Sequence, residues 1–568
     1  METRNCQNCK NDFPIDAEDF SFYERMKVPA PTFCSDCRLQ RRYAWRNERA
    51  LFKAVCGLCN KNVLSMYPTE RTYPVYCRDC WLGDGWDPFN FGMDYDFSRP
   101  FFEQFKELLN KVPCMNLMQV RGVNSDYANG YVGARNAYLS YSVVEAEDVL
   151  YSRNVDVSRF IMDSLGINDS ERVYHTVHAA GSYDIVYCQQ IRSCMNSAFL
   201  FDSTNCSYCF MSANLRNKKY VFRGEQCTKE EYEQKMKEVD LGSYATFTAL
   251  VEEFKAVKEN ALHRYADMLK CVNTTGDSLS NMKNSQFCFE AYDNEDTKWT
   301  SRAMGNKNTY DINNMRRSEL VYEYVSLGEQ SHNVMFSCSL VSSATDTQYS
   351  TWSSGANLFG CVGIRNGNYC ILNKQYSEAE YKELLPKIIE HMNAMPYAGN
   401  NGRVYTYGEF FPIELSPFAY NDTNAQEHFP LSEKEIREEG YAFRAPEARA
   451  HSATKLAGDL PDHIKDVSDE ILKDIITCEH VGSACVHQCT EAFRITPDEL
   501  AQYRRVNLPI PRLCPNCRYY TRLAYRRPWK LWHRSCMNDG CTNEFKTPYA
   551  PERPETVFCE SCYQKEVI

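Results

Sequence analysis

The chain has 568 residues, 43% hydrophobic and 24% charged, with 38 Tyr, 28 Cys and a formal net charge of −11. That length exceeds one core and predicts several domains. No apolar run reaches the roughly 18 residues of a membrane helix, and the polar opening METRNCQNCK is not a secretion signal. Cysteines in CxxC pairs without such a signal predict bound metal in a reducing, cytoplasmic setting, with no membrane partner.

In chain order, residues 1–95 come first, carrying Cys6/Cys9, Cys34/Cys37, Cys56/Cys59 and Cys77/Cys80, separated by 24, 18 and 17 residues. Four thiolates at such spacing suit tetrahedral Zn²⁺. A cross-braced arrangement needs the second and third pairs close together, so consecutive pairing into a double zinc ribbon is expected. The segment 38–53 lacks Gly and Pro and is rich in Arg, Leu and Ala. It reads as a helix whose first turn sits at the metal, as in treble-clef sites.

SRPFFEQFKELLNKV supplies a linker helix over 96–113. In 114–227, short β-rich segments such as NAYLSY, DVLYSR and RFIMDS recur about every 11 to 14 residues, with Asn and Ser at the breaks. A helical insert over 228–275 follows, and Phe247, Leu250, Val251, Phe254 and Val257 share one face of it. The series then repeats over 276–376, and RNKKYVFRGEQCTKEEY aligns with RNGNYCILNKQYSEAEY without a gap. Regular short strands with turn residues at each corner predict two parallel β-solenoid lobes of about eight strands each. Two strands per turn would give coils of roughly 22 to 25 residues. An antiparallel sandwich is the alternative.

Residues 377–476 read as a helical, then acidic and irregular linker, in which GYAFRAPEARAHSATKLAG resembles a flexible strap. Residues 477–568 copy the N-terminal unit. Cys485/Cys489, Cys514/Cys517, Cys536/Cys541 and Cys559/Cys562 are again separated by 24, 18 and 17 residues, and VPAP is matched by LPIP. Two knuckles depart from CxxC, and Cys478, His480 or His487 can substitute for Cys485. The predicted fold is multidomain and mainly β, with two parallel β-solenoid-like lobes, helical inserts and flanking duplicated treble-clef or zinc-ribbon modules. Four structural Zn²⁺ ions are expected.

No GxSxG, HExxH, GxxxxGK[ST] or strand-following GxGxxG occurs. His175 and His178, three apart on a strand, point to opposite faces and do not ligate jointly. Cys206 and Cys209 read as small buried side chains. Asp156, Asp163 and Asp311 are the weak case for an enzyme on a solenoid face, and no catalytic residue is assigned. What remains is a charge division. Residues 38–53 carry six basic side chains against Glu48, and 504–534 carry nine with no acid. Interleaved with aromatics, Arg38, Arg41, Arg42, Arg46, Arg49, Arg518, Arg522, Arg526, Arg527, Lys530 and Arg534 are candidates for nucleic-acid contact. RNA or the ribosome is expected ahead of DNA. An acidic protein surface is a second expectation, the chain's own 409–474 segment included, and a protein-interaction scaffold capped by zinc modules is the rival function.

VPAPTFCSDCRLQRRYAWRNER, CVGIRNGNYCILNKQYS, GEFFPIELSPFAYNDTNAQEHFPLS and FRITPDELAQYRRVNLPIPRLCPNCR together resemble a family of uncharacterised zinc-ribbon, β-repeat proteins of candidate-phyla (reduced-genome) bacteria. The resemblance implies a bacterial cytoplasmic protein that binds metal. It implies no activity.

Overall fold

The repeating element is shorter than its sequence period suggests. In the first lobe four-residue strands, among them Arg135–Tyr138, Tyr141–Val144, Glu147–Leu150 and Arg153–Asp156, follow one another with two-residue corners between them. Tyr141 pairs in parallel with Arg153, and Arg153 with Leu165, while Glu147 pairs with Arg159 on the other side. One full coil is therefore 12 residues, the separation of the bonded pair Ser140 and Ser152. The expected coil of 22 to 25 residues is corrected: each recurrent segment is a whole turn carrying two strands. The computed structural model of the chain describes residues 1–70, 73–445, 452–482 and 485–567. The middle of the expected strap, 446–451, lies outside the described residues.

Such narrow coils follow from the backbone. Every third residue, including Asn136, Leu139, Ser142, Glu145 and Asp148, lies in the left-handed region with φ near +50°. Asn and Asp tolerate that region better than most residues, which accounts for the polar punctuation at the corners. The residue after each corner points inward, so the interior repeats in threes. Val143, Val149, Val155, Ile161, Ile167 and Val173 fill the centre, with Ser140, Ser152, Ser164 and Thr176 between them. Small and β-branched side chains predominate in so thin a core, with Leu200 and Tyr131 as larger exceptions. Cys188, Cys194, Cys206 and Cys209 occupy the same interior positions.

The first lobe forms a 16-stranded sheet and the second an 11-stranded one. In the second lobe the coil lengthens to 13 residues in places. Each lobe ends in a short antiparallel turn-back, Lys219–Phe222 with Glu225–Gln226 and Gly367–Ile371 with Lys374–Gln375. A helix follows each, capped by Thr228 or Ser377 with the reciprocal Glu three residues on. The insert helix Tyr244–Glu259 buries Leu250 and Phe254 against Tyr187 and Phe199.

The terminal modules are built alike. A hairpin (Glu2–Asn5 with Asp12–Ile15) and a helix (Ala17–Met26) precede the helix Ser35–Tyr43, which begins at Cys34. In the second module Ile476–Thr477 pairs with Ala492–Phe493, and Pro497–Val506 precedes Pro515–Leu523, which begins at Cys514.

The modules dock crosswise. The N-terminal module shares a core with the second lobe, and the C-terminal module shares one with the first. Corresponding residues make corresponding contacts. Tyr23 packs on Tyr322 at 5.4 Å and Tyr503 on Tyr174 at 5.9 Å between ring centres. Arg38 lies over Trp299 at 4.7 Å, and Arg518 over Tyr151 at 4.4 Å. Further along, Arg365 donates to the Leu82 carbonyl at 2.9 Å, and Arg216 to the Tyr563 hydroxyl at 2.7 Å. Each module thus docks chiefly on the lobe farther from it along the chain, with added contacts of Arg526 and Arg527 to the second lobe and of Glu48 to Arg153 of the first.

Candidate metal centres and buried arginines

Four groups of cysteine sulfurs could each hold a metal ion: Cys6, Cys9, Cys34 and Cys37; Cys56, Cys59, Cys77 and Cys80; Cys478, Cys489, Cys514 and Cys517; Cys536, Cys541, Cys559 and Cys562. Pairing is consecutive, as the spacing predicts. Sulfur–sulfur distances within the groups include 3.7 Å for Cys9–Cys34, 3.8 Å for Cys59–Cys77 and for Cys478–Cys517, and 3.9 Å for Cys541–Cys559. A tetrahedron with zinc–sulfur bonds of about 2.3 Å has edges of about 3.8 Å, so the donor set and its size both fit Zn²⁺.

One predicted ligand moves. In every group the first sulfur accepts the backbone N–H of the third cysteine: Cys6 from Cys34 at 3.2 Å, Cys56 from Cys77 at 3.2 Å, Cys536 from Cys559 at 3.3 Å. In the remaining group the acceptor is Cys478, at 3.2 Å from the Cys514 nitrogen. Cys478 therefore takes the place expected for Cys485. It directly follows the strand Ile476–Thr477, as Cys6 follows Glu2–Asn5, a correspondence visible only once the hairpins are formed. Cys541, the other irregular position, stays in its group.

The arginines do not form exposed stripes. The helix after Cys34 stops at Tyr43, so Arg46 and Arg49 lie beyond it. Arg38 and Arg42 both reach Asp311, at 2.8 and 2.9 Å, and Arg41 bridges Glu323 at 2.8 Å and Glu409 at 2.7 Å. Arg46 pairs with Glu48, and Arg49 stands 3.6 Å from Glu427. In the other module Arg518 and Arg522 share Asp163 at 2.7 and 2.6 Å, Arg527 meets Asp277 at 2.8 Å, and Arg526 lies 4.0 Å from Glu290. Nine of the eleven candidate nucleic-acid contacts are thus inside the molecule beside carboxylates. Only Lys530 is exposed, and Arg534 is half-buried.

Most of these acids belong to the solenoids; Glu409 and Glu427 come from the acidic linker. Burial alone would raise the Asp163 carboxyl, but Arg518 and Arg522 hold it below the usual carboxylate range. The two modules also touch each other, with Arg49 lying 3.6 Å above the ring of Tyr519.

Asp163 and Asp311, considered as solenoid-face catalytic groups, serve instead as these sealed counter-ions. Asp156 lines a different feature, a cleft of ≈ 440 Å³ between the lobes that also presents His178, Arg192, Glu290, Tyr292 and Arg316. Asp156 accepts from Tyr292 at 3.2 Å and lies 3.8 Å from Arg316, and burial raises its carboxyl above the usual range. His175 and His178 sit at successive left-handed corners and face different sides of the coil, because the chain turns every three residues. His175 stacks on Tyr187 at 4.3 Å. Among the described residues no helix is long and apolar enough to cross a membrane.

No family model matches the chain, and no curated protein matches it. Among solved structures it is similar to one described as a "putative acetyltransferase from Desulfovibrio desulfuricans G20", at 11% identity over 50% of this chain and 77% of that one, with a TM-score of 0.09. A score that low carries no argument about fold or activity.

Proposed function

We propose that this protein is a non-catalytic cytoplasmic scaffold whose four Zn²⁺ ions are structural and whose zinc modules clasp the two solenoids. The observation that carries the reading is the destination of the arginine helices. Each starts at a metal-ligating cysteine and ends its charges on an aspartate of a solenoid. Filling each site with four thiolates leaves no position for a water or a substrate, which is the ligand pattern of structural zinc. No disulfide joins any of the 28 cysteines, which leaves their sulfurs available as metal ligands. The surfaces left for partners are the outer solenoid faces, so the expected partner is a protein. On this reading the modules are flank clasps rather than end caps.

Nucleic-acid binding is the competing outcome, and a salt series decides between them. Zinc-loaded protein would be titrated with fluorescent single-stranded RNA, duplex RNA and duplex DNA. The scaffold reading expects weak binding with a shallow dependence on salt. A steep linear fall of log affinity with log salt, for any of the three polymers, would overturn it. A second reading, a small-molecule site or an enzyme, has the inter-lobe cleft in its favour, since Asp156, Glu290 and His178 line its walls. In that cleft burial opposes ionisation of Glu290, yet Arg302 and Arg526 hold it at about 2.

A further inference from the structure

The two zinc modules differ at one place. Cys6 and Cys9 enclose two residues, whereas Cys478 and Cys489 enclose ten, among them His480, Cys485 and His487. These three return to the outer side of Cys517. Cys485 Sγ lies 3.7 Å from Cys517 Sγ and 3.5 Å from His480 Nδ1. One ligand atom from each of His480, Cys485, His487 and Cys517 falls within 4.8 Å of all the others. The His487 ring stacks on Tyr520 at 5.6 Å, and its buried Nδ1 has no hydrogen-bond partner. In the N-terminal module the corresponding sulfur, Cys37, instead receives the side-chain amide of Asn8 at 3.3 Å. A single N–H donor there occupies the place that a histidine–cysteine cluster takes in the C-terminal module.

We propose that His480, Cys485 and His487 hold a fifth metal ion, which shares the Cys517 thiolate with the ion at Cys478, Cys489 and Cys514. Two imidazoles and two thiolates are a donor set for Zn²⁺ or a similar borderline divalent cation. Charge favours the pair of ions. Four thiolates around one divalent ion carry a net charge of two minus. A second ion, with the added Cys485 thiolate and two neutral imidazoles, reduces this to one minus. Three of the ligands, His480, Cys485 and His487, are half-buried, so this ion exchanges more readily than the four others. The proposal rests on the reading of the cysteine groups as zinc sites, and its test separates the two.

Native mass spectrometry of the full-length, zinc-loaded chain counts the ions. The expectation is five for the parent and four for both C485S and the double variant H480N/H487N, with unchanged far-UV circular dichroism. Co²⁺ substitution adds a readout: the visible bands of a mixed nitrogen–sulfur site should vanish in both variants, while the all-sulfur bands remain. Four ions in the parent and four in C485S would overturn the proposal. So would a fall from four to three in C485S with none in C478S, which would make Cys485 the fourth ligand of the neighbouring ion. Fewer than four ions in the parent would defeat the zinc reading itself, and the fifth site with it.

Discussion

Asp163 and Asp311 each lie between two guanidinium groups in a site closed to water, and none of these side chains is more than 5% exposed. Removing the carboxylate leaves two buried cations without a counter-charge, a change that costs about 3–5 kcal/mol when one partner of a buried pair is lost. Asp163→Ala and Asp311→Ala should each lower unfolding free energy by about that much in urea titrations. Removing one arginine as well, as in D163A/R522A, should recover part of the loss because one orphaned charge disappears. The arginine spacing was legible in the sequence, but its destination was not. Asp311 lies 273 residues from Arg38 and Asp163 lies 359 from Arg522, and local charge patterns carry no information at that range. His175 extends the argument to pH. Burial, then the nearby Arg522, lowers it from 6.5 to about 3, so it stays neutral in the fold and protonates on unfolding. Its folded pKa lies below its unfolded one, so stability is full above pH 6.5 and declines as pH falls toward 3. H175F should flatten the slope of unfolding free energy against pH in that window by up to about one proton. Acid loss of metal is common to variant and parent, so the difference isolates the histidine.

Within each coil the interior hydroxyls do what longer strands do elsewhere. Ser164 donates to the Met162 carbonyl at 2.9 Å and accepts the Thr176 amide of the next coil at 3.1 Å. Ser152 and Thr176 occupy equivalent places in the same ladder. Ser164→Ala strands a buried N–H and should cost about 1–3 kcal/mol. Ser164→Cys should cost less, since Cys188 already makes both bonds with sulfur, to the Val186 carbonyl at 3.4 Å and from the Leu200 amide at 3.3 Å. Urea midpoints for the two variants test the ordering, and a cysteine variant as weak as the alanine one would remove the ladder from the account. The recurrence of the lobes, their parallel solenoid class and their closing helices were legible because turn residues and the matched lobe endings mark them. The coil size was not, because four-residue strands joined by two-residue corners put two strands into each recurrent segment, which reads as one. A finer signal was present: Ser140, Val143, Ala146, Val149, Ser152 and Val155 repeat small or β-branched residues every third position.

At the scale of the whole molecule, duplication is plain in the sequence and its consequence is not. Two copies of a zinc module invite the reading of two independent clamps, yet each module completes the lobe farther from it along the chain. The first module finds its surface only after the second lobe exists, which makes the closing contacts long-range and slow to form. Metal is tied to those contacts through a short path. Cys34 begins the helix Ser35–Tyr43, and that helix carries Arg38, Arg41 and Arg42 into Asp311 and Glu323. Cys514 begins Pro515–Leu523, which carries Arg518 and Arg522 into Asp163. Losing an ion frees the helix start, withdraws the arginines and leaves the solenoid carboxylates buried and unpaired. Hydrogen exchange on the full chain should therefore respond crosswise. C34S/C37S should speed exchange most over 276–376, and C514S/C517S most over 114–227. Because the modules touch through Arg49 and Tyr519, and because Arg526 and Arg527 also reach the second lobe and Glu48 the first, a smaller effect should spread to the other lobe. If each variant instead loosened the lobe next to it in sequence, the crosswise clasp would be wrong, and the ions would stabilise only their own modules.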